Sequence, residues 1–442
     1  MGISLSDHFD YKKMLRFTLP SIIMMVFTSI YGVVDGYFVS NFVGKTPFAA
    51  VNFIMPFLML LGPFGFMFGT GGGALIAKTL GEGSGKKANK LFSMIVYLTI
   101  ACSLVITVIS FFILPSVARM LGASGQMLDD CVLYGRIIIL ALPFLMLQFE
   151  FQSFFITAEK PKLGLYATIA SGVTNMVLDA LLMAVFNWGI AGAAIATALS
   201  QVVGGVIPLI YFGRKNTSLL QLGKFEFDGR SLIKACTNGS SELMSNISMS
   251  LVGILYNTQL LKYAGENGVA AYGVLMYVNF IFISVFIGFT VGIAPVIGYH
   301  FGAQNHRELQ GLRRKSTVII LVSSVAMLLL GEVLAYPLSY IFVGYDAALM
   351  DMTLHGFFIF SFSFLFAGMA IFGSSFFTAL NDGLTSALIS FLRTLVFQVL
   401  AVVILPLIWE LDGIWISIVV AEVMAVVITV IFMIVKRKKY NY

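Results

Sequence analysis

Twelve stretches of about 20 or more predominantly apolar residues follow one another along the 442-residue chain. A helix of about this length crosses the hydrocarbon core of a bilayer. Only 11% of the residues are charged, whereas a soluble domain carries about 25%. The sequence therefore predicts an all-α integral membrane protein. Its twelve predicted transmembrane helices run roughly over 15–39, 48–78, 91–114, 131–156, 162–186, 190–213, 232–262, 268–298, 313–342, 354–379, 384–409 and 413–435.

The basic residues are distributed unevenly between the two sides of this predicted bundle. If the N-terminus is cytoplasmic, all but five of the 27 Lys and Arg residues lie in inner loops and tails. The outer loops contain only Lys45, Arg119 and Lys262, while Arg136 and Arg393 lie inside apolar stretches. This bias follows the positive-inside rule and predicts a multi-pass protein of the plasma (inner) membrane with both termini cytoplasmic. It explains the net charge of +6 without a nucleic-acid partner.

The second half of the chain repeats the first at an offset of 221 residues. We therefore expect two six-helix lobes with the same direction through the membrane, an N-terminal lobe over 1–213 and a C-terminal lobe over 232–442. The polar stretch 214–231 joins them as a cytoplasmic linker. Parallel repeats are typical of transporters that bind substrate between their halves, and we expect a monomer. The matched pairs include Gly71 with Gly292, Gly81 with Gly302, and Trp188 with Trp409.

Polar residues of three N-lobe stretches lie at one depth in the outer half of the predicted bilayer. Asp35 is near the outer end of the first stretch, and Asp179 is about seven residues from the outer end of the fifth. The sixth stretch runs inward and reaches Thr197 after about seven residues. Because a helix rises about 1.5 Å per residue, these side chains share a level. Tyr31 and Asn175 lie one turn from the two acids, so we expect all five to lie close together.

Two carboxylates that meet in a medium of low dielectric cannot both stay ionised at low cost. A proton on one of them, or a Na⁺ bound by oxygens of Asp35, Asn175, Asp179 and Thr197, relieves the repulsion. We therefore predict a cation site, with H⁺ or Na⁺ as the coupling ion and no other cofactor. The alternative is that both acids only form structural hydrogen bonds between helices. Intramembrane acids are costly, which favours the cation site.

The sequence resembles the multidrug and toxic compound extrusion (MATE) exporters over essentially its whole length. The resemblance rests on the two six-helix lobes, on "DGYFVSNFVG" at 35–44, on the "AAV" that opens the second stretch, and on the spacing of Asn175 and Asp179. It implies a V-shaped, secondary active antiporter that exports organic, often cationic compounds by alternating access in exchange for H⁺ or Na⁺.

The resemblance also implies which branch of that family the chain is most similar to. In the branch whose coupling carboxylates lie in the N-terminal lobe, the coupling residues match Asp35, Asn175, Asp179 and Thr197, with Tyr31 nearby. Another branch places acids in the seventh and tenth helices. Here Glu242 matches the first of these, but the stretch 354–379 contains no acid.

Candidate substrate contacts are found in the fourth and seventh stretches. Gln148 and Gln152 share one helix face, and Glu150 points roughly the opposite way. A buried acid, either Glu150 or Glu242, would attract cationic drugs, and the many Met and Phe side chains suit lipophilic cations. Hydrogen bonding between helices is the alternative role for the polar residues, and contact with lipid is the alternative for the apolar ones.

Two other functions compete with drug export. A flippase of a lipid-linked or amphipathic substrate would have the same topology, but it needs basic residues along its cavity to bind phosphate. Only Arg136 and Arg393 lie within the apolar stretches. An intramembrane aspartyl enzyme would need a GxGD sequence, and Asp179 has no such neighbours, so we predict that the chain is not an enzyme.

Glu242 and Arg393 are further charges that the C-terminal lobe places within the membrane. Each follows its predicted cytoplasmic helix start by nine or ten residues, so both lie about 14 Å along their helices. Since each alone is an expensive intramembrane ion, we predict that they form an ion pair. Glu242 as a substrate or second proton site, and Arg393 extending toward the inner interface, are the alternatives.

Overall fold

The computed structural model describes residues 3–43 and 45–442. Gly44, the last residue of the "DGYFVSNFVG" motif, lies outside the described residues. Helices dominate the described part, and short turns separate most of them, the segment between α7 and α8 being longer. They are α1 (Tyr11–Phe42), α2 (Lys45–Met59), α3 (Pro63–Gly81), α4 (Gly85–Leu121), α5 (Gly125–Thr157), α6 (Pro161–Asp179), α7 (Gly189–Gly213), α8 (Gly229–Gly302), α9 (His306–Val343), α10 (Ala347–Ser361), α11 (Ser363–Ala379), α12 (Gly383–Phe391), α13 (Phe397–Ile404) and α14 (Pro406–Tyr440).

These helices account for twelve membrane crossings in the described part of the chain. Ten helical stretches are long and apolar enough to span a membrane, and α10 with α11 forms one more span that is bent by 45°. The 74-residue α8 supplies two of the twelve, because Gly265 breaks it with a φ of 64°. Its arms, 229–264 and 266–302, fold back on each other, since the rings of Tyr256 and Tyr272 stack 5.2 Å apart across the break. The predicted all-α, twelve-helix membrane fold is confirmed.

Two crossings contain a π-helical turn. The turn Ala180–Val185 follows α6 directly, and the turn Leu392–Val396 joins α12 to α13. The two crossings are the fifth and the eleventh, which are equivalent in the repeat. A π-helical turn adds a residue to the helix and therefore changes the direction in which the neighbouring side chains point. Such turns are frequent at functional sites.

Both chain ends lie on one side of the bundle, here called the terminal face. The backbone N–H of Phe9 donates to Glu308 near the start of α9, at 2.9 Å. Near the same helix start, the Arg313 guanidinium lies over the ring of Tyr442. Leu5 and Phe9 are fully buried, and Glu159 in the α5–α6 turn accepts a hydrogen bond from the Leu5 N–H at 2.6 Å. The first residues therefore connect the two halves of the molecule.

The contacts between the lobes follow the repeat. A Cβ added to Gly81 would lie 1.9 Å from the carbonyl oxygen of Tyr299, and one added to Gly302 would lie 2.0 Å from that of Lys78. The repeat-related pair Gly81 and Gly302 thus lets α3 and α8 pack backbone to backbone. Gly71 packs on Gly239 in the same way. These close contacts join the lobes on the side of the terminal face.

The chain between α7 and α8 packs along α4. The Asn89 side chain accepts from the backbone N–H of Gln221 at 2.8 Å, and the Ser93 hydroxyl accepts from that of Gly223 at the same distance. Lys90 pairs with Glu226 at 2.7 Å. This stretch is thereby attached to the N-terminal half, and α8 begins at Gly229.

Candidate cation site between the first, fifth and sixth crossings

The polar residues predicted to cluster in the N-terminal half do so in the structure. The Asn175 amide donates to the Thr197 hydroxyl and the Thr197 hydroxyl donates to Asp35, both at 3.5 Å. The carboxyl group of Asp179 lies within interaction distance of that of Asp35. Helices α1, α6 and α7 therefore meet at one polar cluster.

The elements around the cluster explain its position. Asp179 is the last residue of α6 and is fully buried where the π-helical turn begins. Gly172 lies two turns earlier, and a Cβ there would meet the ring of Tyr31 at 3.1 Å. The absence of a side chain at Gly172 thus lets α1 approach α6 closely and brings Tyr31 and Asp35 to the cluster.

Two tyrosines lie beside the acids. Tyr31 is close enough to Asp35 for a direct electrostatic interaction. Tyr134 on α5 is almost fully buried and interacts with both Asp35 and Asp179. Sequence reasoning missed Tyr134, because it lies in the fourth apolar stretch and no pattern indicated which face of that helix meets the acids.

The cluster has an excess of acceptor oxygens. Both carboxylate oxygens of Asp179 and the amide oxygen of Asn175 are buried without a hydrogen-bond donor among the described residues. In that same part of the protein, no ion pair joins a Lys, Arg or His to Asp35 or Asp179. A buried carboxylate is stable only when it is paired, hydrogen-bonded or neutralised. The arrangement is therefore suited to bind a proton or a small cation.

A larger cavity lies between the two halves of the molecule. It is bounded by α3, α5, both arms of α8 and α11. Its polar wall includes Ser153, Thr157, Ser375 and Thr378, and Glu242 is its charged lining residue. Of the predicted substrate contacts, Glu242 is the one in this cavity.

The other predicted substrate contacts lie elsewhere in the N-terminal half. Gln148 and Gln152 line a separate cavity between α5, α6 and α7. Glu150 is fully buried near Thr99 of α4. None of these three residues lines the larger cavity. The interpretation of Gln148 and Gln152 as sharing one face is consistent with their common cavity.

The predicted ion pair between Glu242 and Arg393 is wrong. The Arg393 guanidinium donates three hydrogen bonds to Glu422 on α14, at 2.9 to 3.1 Å. Glu422 was overlooked as an acid of the last apolar stretch, although it lies at a depth similar to that of Arg393. Depth alone did not distinguish the two acids, and the rotation of α8 and α14 about their axes decides which one faces the guanidinium.

Known proteins share the sequence pattern and the twelve-helix fold of this chain. The model of the family MatE matches residues 20–181 and 243–404, one stretch in each half of the repeat. The multidrug export protein MepA of Staphylococcus saprophyticus is 25% identical over 412 residues, covering 92% of this chain and 88% of that protein. MepA of Staphylococcus haemolyticus is 28% identical over 319 residues, covering 72% of this chain and 69% of that protein.

Solved structures have the same fold over nearly the whole length. One is described as the outward-facing conformation of a multidrug resistance MATE family transporter and is similar with a TM-score of 0.93, at 22% identity over 98% of this chain and 97% of that chain. A MATE structure in complex with MaL6 has a TM-score of 0.92, also at 22% identity and with the same coverage. The family match covers most of the chain in two repeated stretches. The protein is a multi-pass membrane transporter, not an enzyme, and belongs to the MATE family.

Proposed function

We propose that this protein is a secondary active exporter of organic, often cationic compounds, which it exchanges for H⁺ or Na⁺ by alternating access between its lobes. The observation that carries the proposal is the pair of the half-buried Asp35 and the fully buried Asp179. Both oxygens of Asp179 lack a donor, and neither acid has a basic partner in the described part of the chain. Paired intramembrane acids of this kind mark ion pathways in transporters. The relatives named multidrug export proteins support the export of drugs.

The cation is bound in the N-terminal lobe. Asp35 and Asp179 supply the negative charge, while the amide oxygen of Asn175 and the hydroxyl of Thr197 complete the set of oxygen donors. Tyr31 and Tyr134 orient the two acids. Hard cations prefer such oxygen ligands, and a proton held between the two carboxyl groups relieves the same repulsion. Binding of either ion removes charge from the cluster and lets α1 repack against α6 and α7.

The drug is bound between the lobes. Small and polar side chains line the cavity there, and its carboxyl group at Glu242 attracts organic cations. The described residues that line it include no Lys or Arg, which argues against a flippase that must bind a lipid phosphate. In this proposal Gln148, Gln152 and Glu150 have no direct contact with the drug.

We further infer the arrangement in the cell. The lobes comprise 1–213 and 232–442, joined by the linker 214–231, and the protein works as a monomer in the plasma membrane. The terminal face, with both chain ends, is cytoplasmic, because the basic residues concentrate in its loops. The drug therefore leaves from the opposite face while the cation moves inward.

Reconstitution in liposomes tests this function. The purified protein is incorporated with a fluorescent organic cation, and an H⁺ gradient and a Na⁺ gradient are imposed separately. One of the two should drive transport of the dye, and Asp179→Asn, reconstituted at equal density, is the control that should not respond. Transport that neither gradient accelerates would overturn the proposal.

A further inference from the structure

A second cavity lies inside the N-terminal lobe, apart from both sites described above. It lies between α5, α6 and α7 and has room for about one water molecule. Phe151, Phe155 and Pro208 form its apolar wall, and Gln148, Gln152 and Thr168 form its polar one. The cavity is therefore amphipathic, although it lies deep within a membrane protein where polar groups are costly.

The two glutamines carry buried polar atoms without protein partners. Gln148 and Gln152 are each only 4% exposed. The amide oxygen of Gln148 and both amide polar atoms of Gln152 have no hydrogen-bond partner among the described residues. Buried polar groups are normally satisfied by protein or by ordered water, and a cavity with several such groups is suited to hold water.

The backbone of α7 is shaped to accommodate one of these amides. A Cβ on Gly204 would lie 2.5 Å from both the amide carbon and the amide oxygen of Gln148. Any side chain at Gly204 would thus displace that amide. On α6, Gly164 also borders the cavity. Both neighbouring helices therefore leave room at the level where the glutamines project.

Polar residues connect this cavity with the cation cluster. On α7, Gln201 lies between Thr197 of the cluster and Gly204 of the cavity, and its own amide oxygen is buried without a partner among the described residues. On α6, Asn175 of the cluster lies seven residues, or two turns, after Thr168 of the cavity. Since each residue rises about 1.5 Å, the two steps on α7 are about 6 and 5 Å, which single water molecules bridge, whereas the step on α6 is about 10 Å.

The line of polar groups points to the terminal face. Gln152 lies five residues before α5 ends at Thr157, about 8 Å along the helix. The cavity is thus between the acids and the side of the membrane where both chain ends lie.

We propose that this cavity is a hydrated passage through which the coupling cation moves between the cluster at Asp35 and Asp179 and the terminal face. This inference rests on the proposed function, because it assumes that the acids bind the coupling ion. A proton crosses by transfer along the waters, and Na⁺ crosses by exchanging carboxylate oxygens for water and the amide oxygens of Gln201, Gln148 and Gln152. The drug uses the separate cavity at Glu242, so the two species exchange without meeting.

Replacing the amides by apolar groups of similar length tests the passage. The double variant Gln148→Met and Gln152→Met should slow gradient-driven transport in liposomes about tenfold, a barrier increase of about 1.4 kcal/mol. Drug affinity in detergent, and the change in that affinity on adding the coupling cation, should stay within about twofold of wild type. The matched control, Gln148→Asn with Gln152→Asn, keeps the amides and should transport faster than the methionine variant.

The outcomes separate this passage from the proposed function. If wild type responds to neither gradient, the proposed function fails and the passage fails with it. If wild type responds and the methionine variant transports at the same rate, the passage alone is overturned. A methionine variant whose drug affinity no longer responds to the cation would place the glutamines in the binding site and would also overturn the passage.

Chemical labelling gives a second test that does not need transport. Gln152→Cys is introduced after Cys102, Cys131 and Cys236 are replaced by Ser, and a small charged thiol reagent is applied from the terminal face. Because the thiolate is the reactive form and needs water to exist, the introduced thiol should be labelled. If the Gln152→Cys protein folds and binds drug but does not react with the reagent, the hydrated passage is contradicted.

Discussion

Equivalent crossings of the two lobes carry different sets of charged side chains. In the N-terminal lobe α1, α6 and α7 bring together Asp35 and Asp179 without a basic partner among the described residues. In the C-terminal lobe the equivalent crossings bring Arg393 onto Glu422 through three hydrogen bonds. The N-terminal cluster contains acids without a basic partner among the described residues, whereas the C-terminal cluster contains an ion pair.

The C-terminal cluster is closed in its hydrogen bonding as well. Tyr256, which the 221-residue offset matches to Asp35, donates its hydroxyl to Gln398 at 2.8 Å in a fully buried contact. Asp179 and Asn175, in contrast, retain acceptor oxygens without donors in the described part of the chain. In the proposed function, the N-terminal lobe binds the mobile ion and the C-terminal lobe is the rigid partner against which it moves.

The largest effect should follow from removing the charge of the N-terminal cluster. Asp179→Asn keeps the size of the side chain but removes a carboxylate that we propose binds the cation, so gradient-driven export should be lost. Asp35→Asn should have the same effect. Both proteins should insert and fold, since an amide in place of a carboxylate removes a buried negative charge. Transport in liposomes, with the amount of inserted protein measured, is the readout, and near-normal transport would refute the role of these acids.

A large loss of stability should follow from breaking the ion pair between Arg393 and Glu422. Glu422→Gln leaves the half-buried Arg393 without its hydrogen-bonded counter-charge, a change that costs up to about 3–5 kcal/mol of stability. Removing both charges, with Arg393→Met and Glu422→Met, should restore most of that loss. Unfolding of the detergent-solubilised proteins measures both changes.

Transport by the double variant then tests the contrast between the lobes. If the Arg393–Glu422 pair is structural, the double methionine variant should still couple export to the same ion as wild type. A stable double variant that has lost ion coupling would place a second cation site in the C-terminal lobe.

A smaller effect should follow from changing the charge of the cavity between the lobes. Glu242→Gln should weaken the binding of a monovalent organic cation about tenfold, because it removes one ion pair at a partly desolvated site. A neutral drug of similar shape should bind within about twofold of its wild-type affinity. Equal loss for both ligands would indicate that Glu242 shapes the cavity rather than recognising charge.

The depth of each polar residue in the membrane could be predicted from the sequence, but the direction in which its side chain points around the helix axis could not. Counting from helix ends placed Asp35, Asp179 and Thr197 at one level, and the structure brings them together. The same counting paired Arg393 with Glu242, although Glu422 is the acid that faces it. Periodicity in a membrane helix is a weak guide to rotation, because lipid and protein interior are both apolar.

The bends and π-helical turns within the crossings could not be predicted from the sequence either. An apolar count predicted one helix over 354–379, whereas the chain bends by 45° between α10 and α11. The π-helical turn after Asp179 has no composition of its own, since Ala180–Val185 is as apolar as its surroundings. Twelve crossings follow from hydropathy, but the direction of the side chains in the candidate cation site depends on helix geometry that only packing determines.

The smallest expected effect concerns the surface of the C-terminal lobe, where an acid connects the end of α14 to the start of α12. Asp382 accepts from Tyr440 and from Thr385, both at 2.8 Å, and pairs with Lys436 at 3.3 Å. The 221-residue offset matches it to Pro161, so the N-terminal lobe has no carboxylate at the equivalent position. Burial acts to raise the pKa of Asp382, but these hydrogen bonds and the lysine charge outweigh it and hold the pKa below its usual range.

The pH dependence of this connection has a definite sign. Because the folded-state pKa is lowered, the ionised carboxylate stabilises the fold above its unfolded pKa near 4, and this stability is lost as the pH falls through the folded value. Asp382→Asn should therefore cost about 1 kcal/mol at pH 7, since water screens a group at the membrane surface. Thermal unfolding in detergent should show the wild-type and variant midpoints converging as the pH is lowered from 7 toward 3. A difference that stays constant over that range would mean that the side chain acts through its shape, and that its charge does not contribute to the connection between α12 and α14.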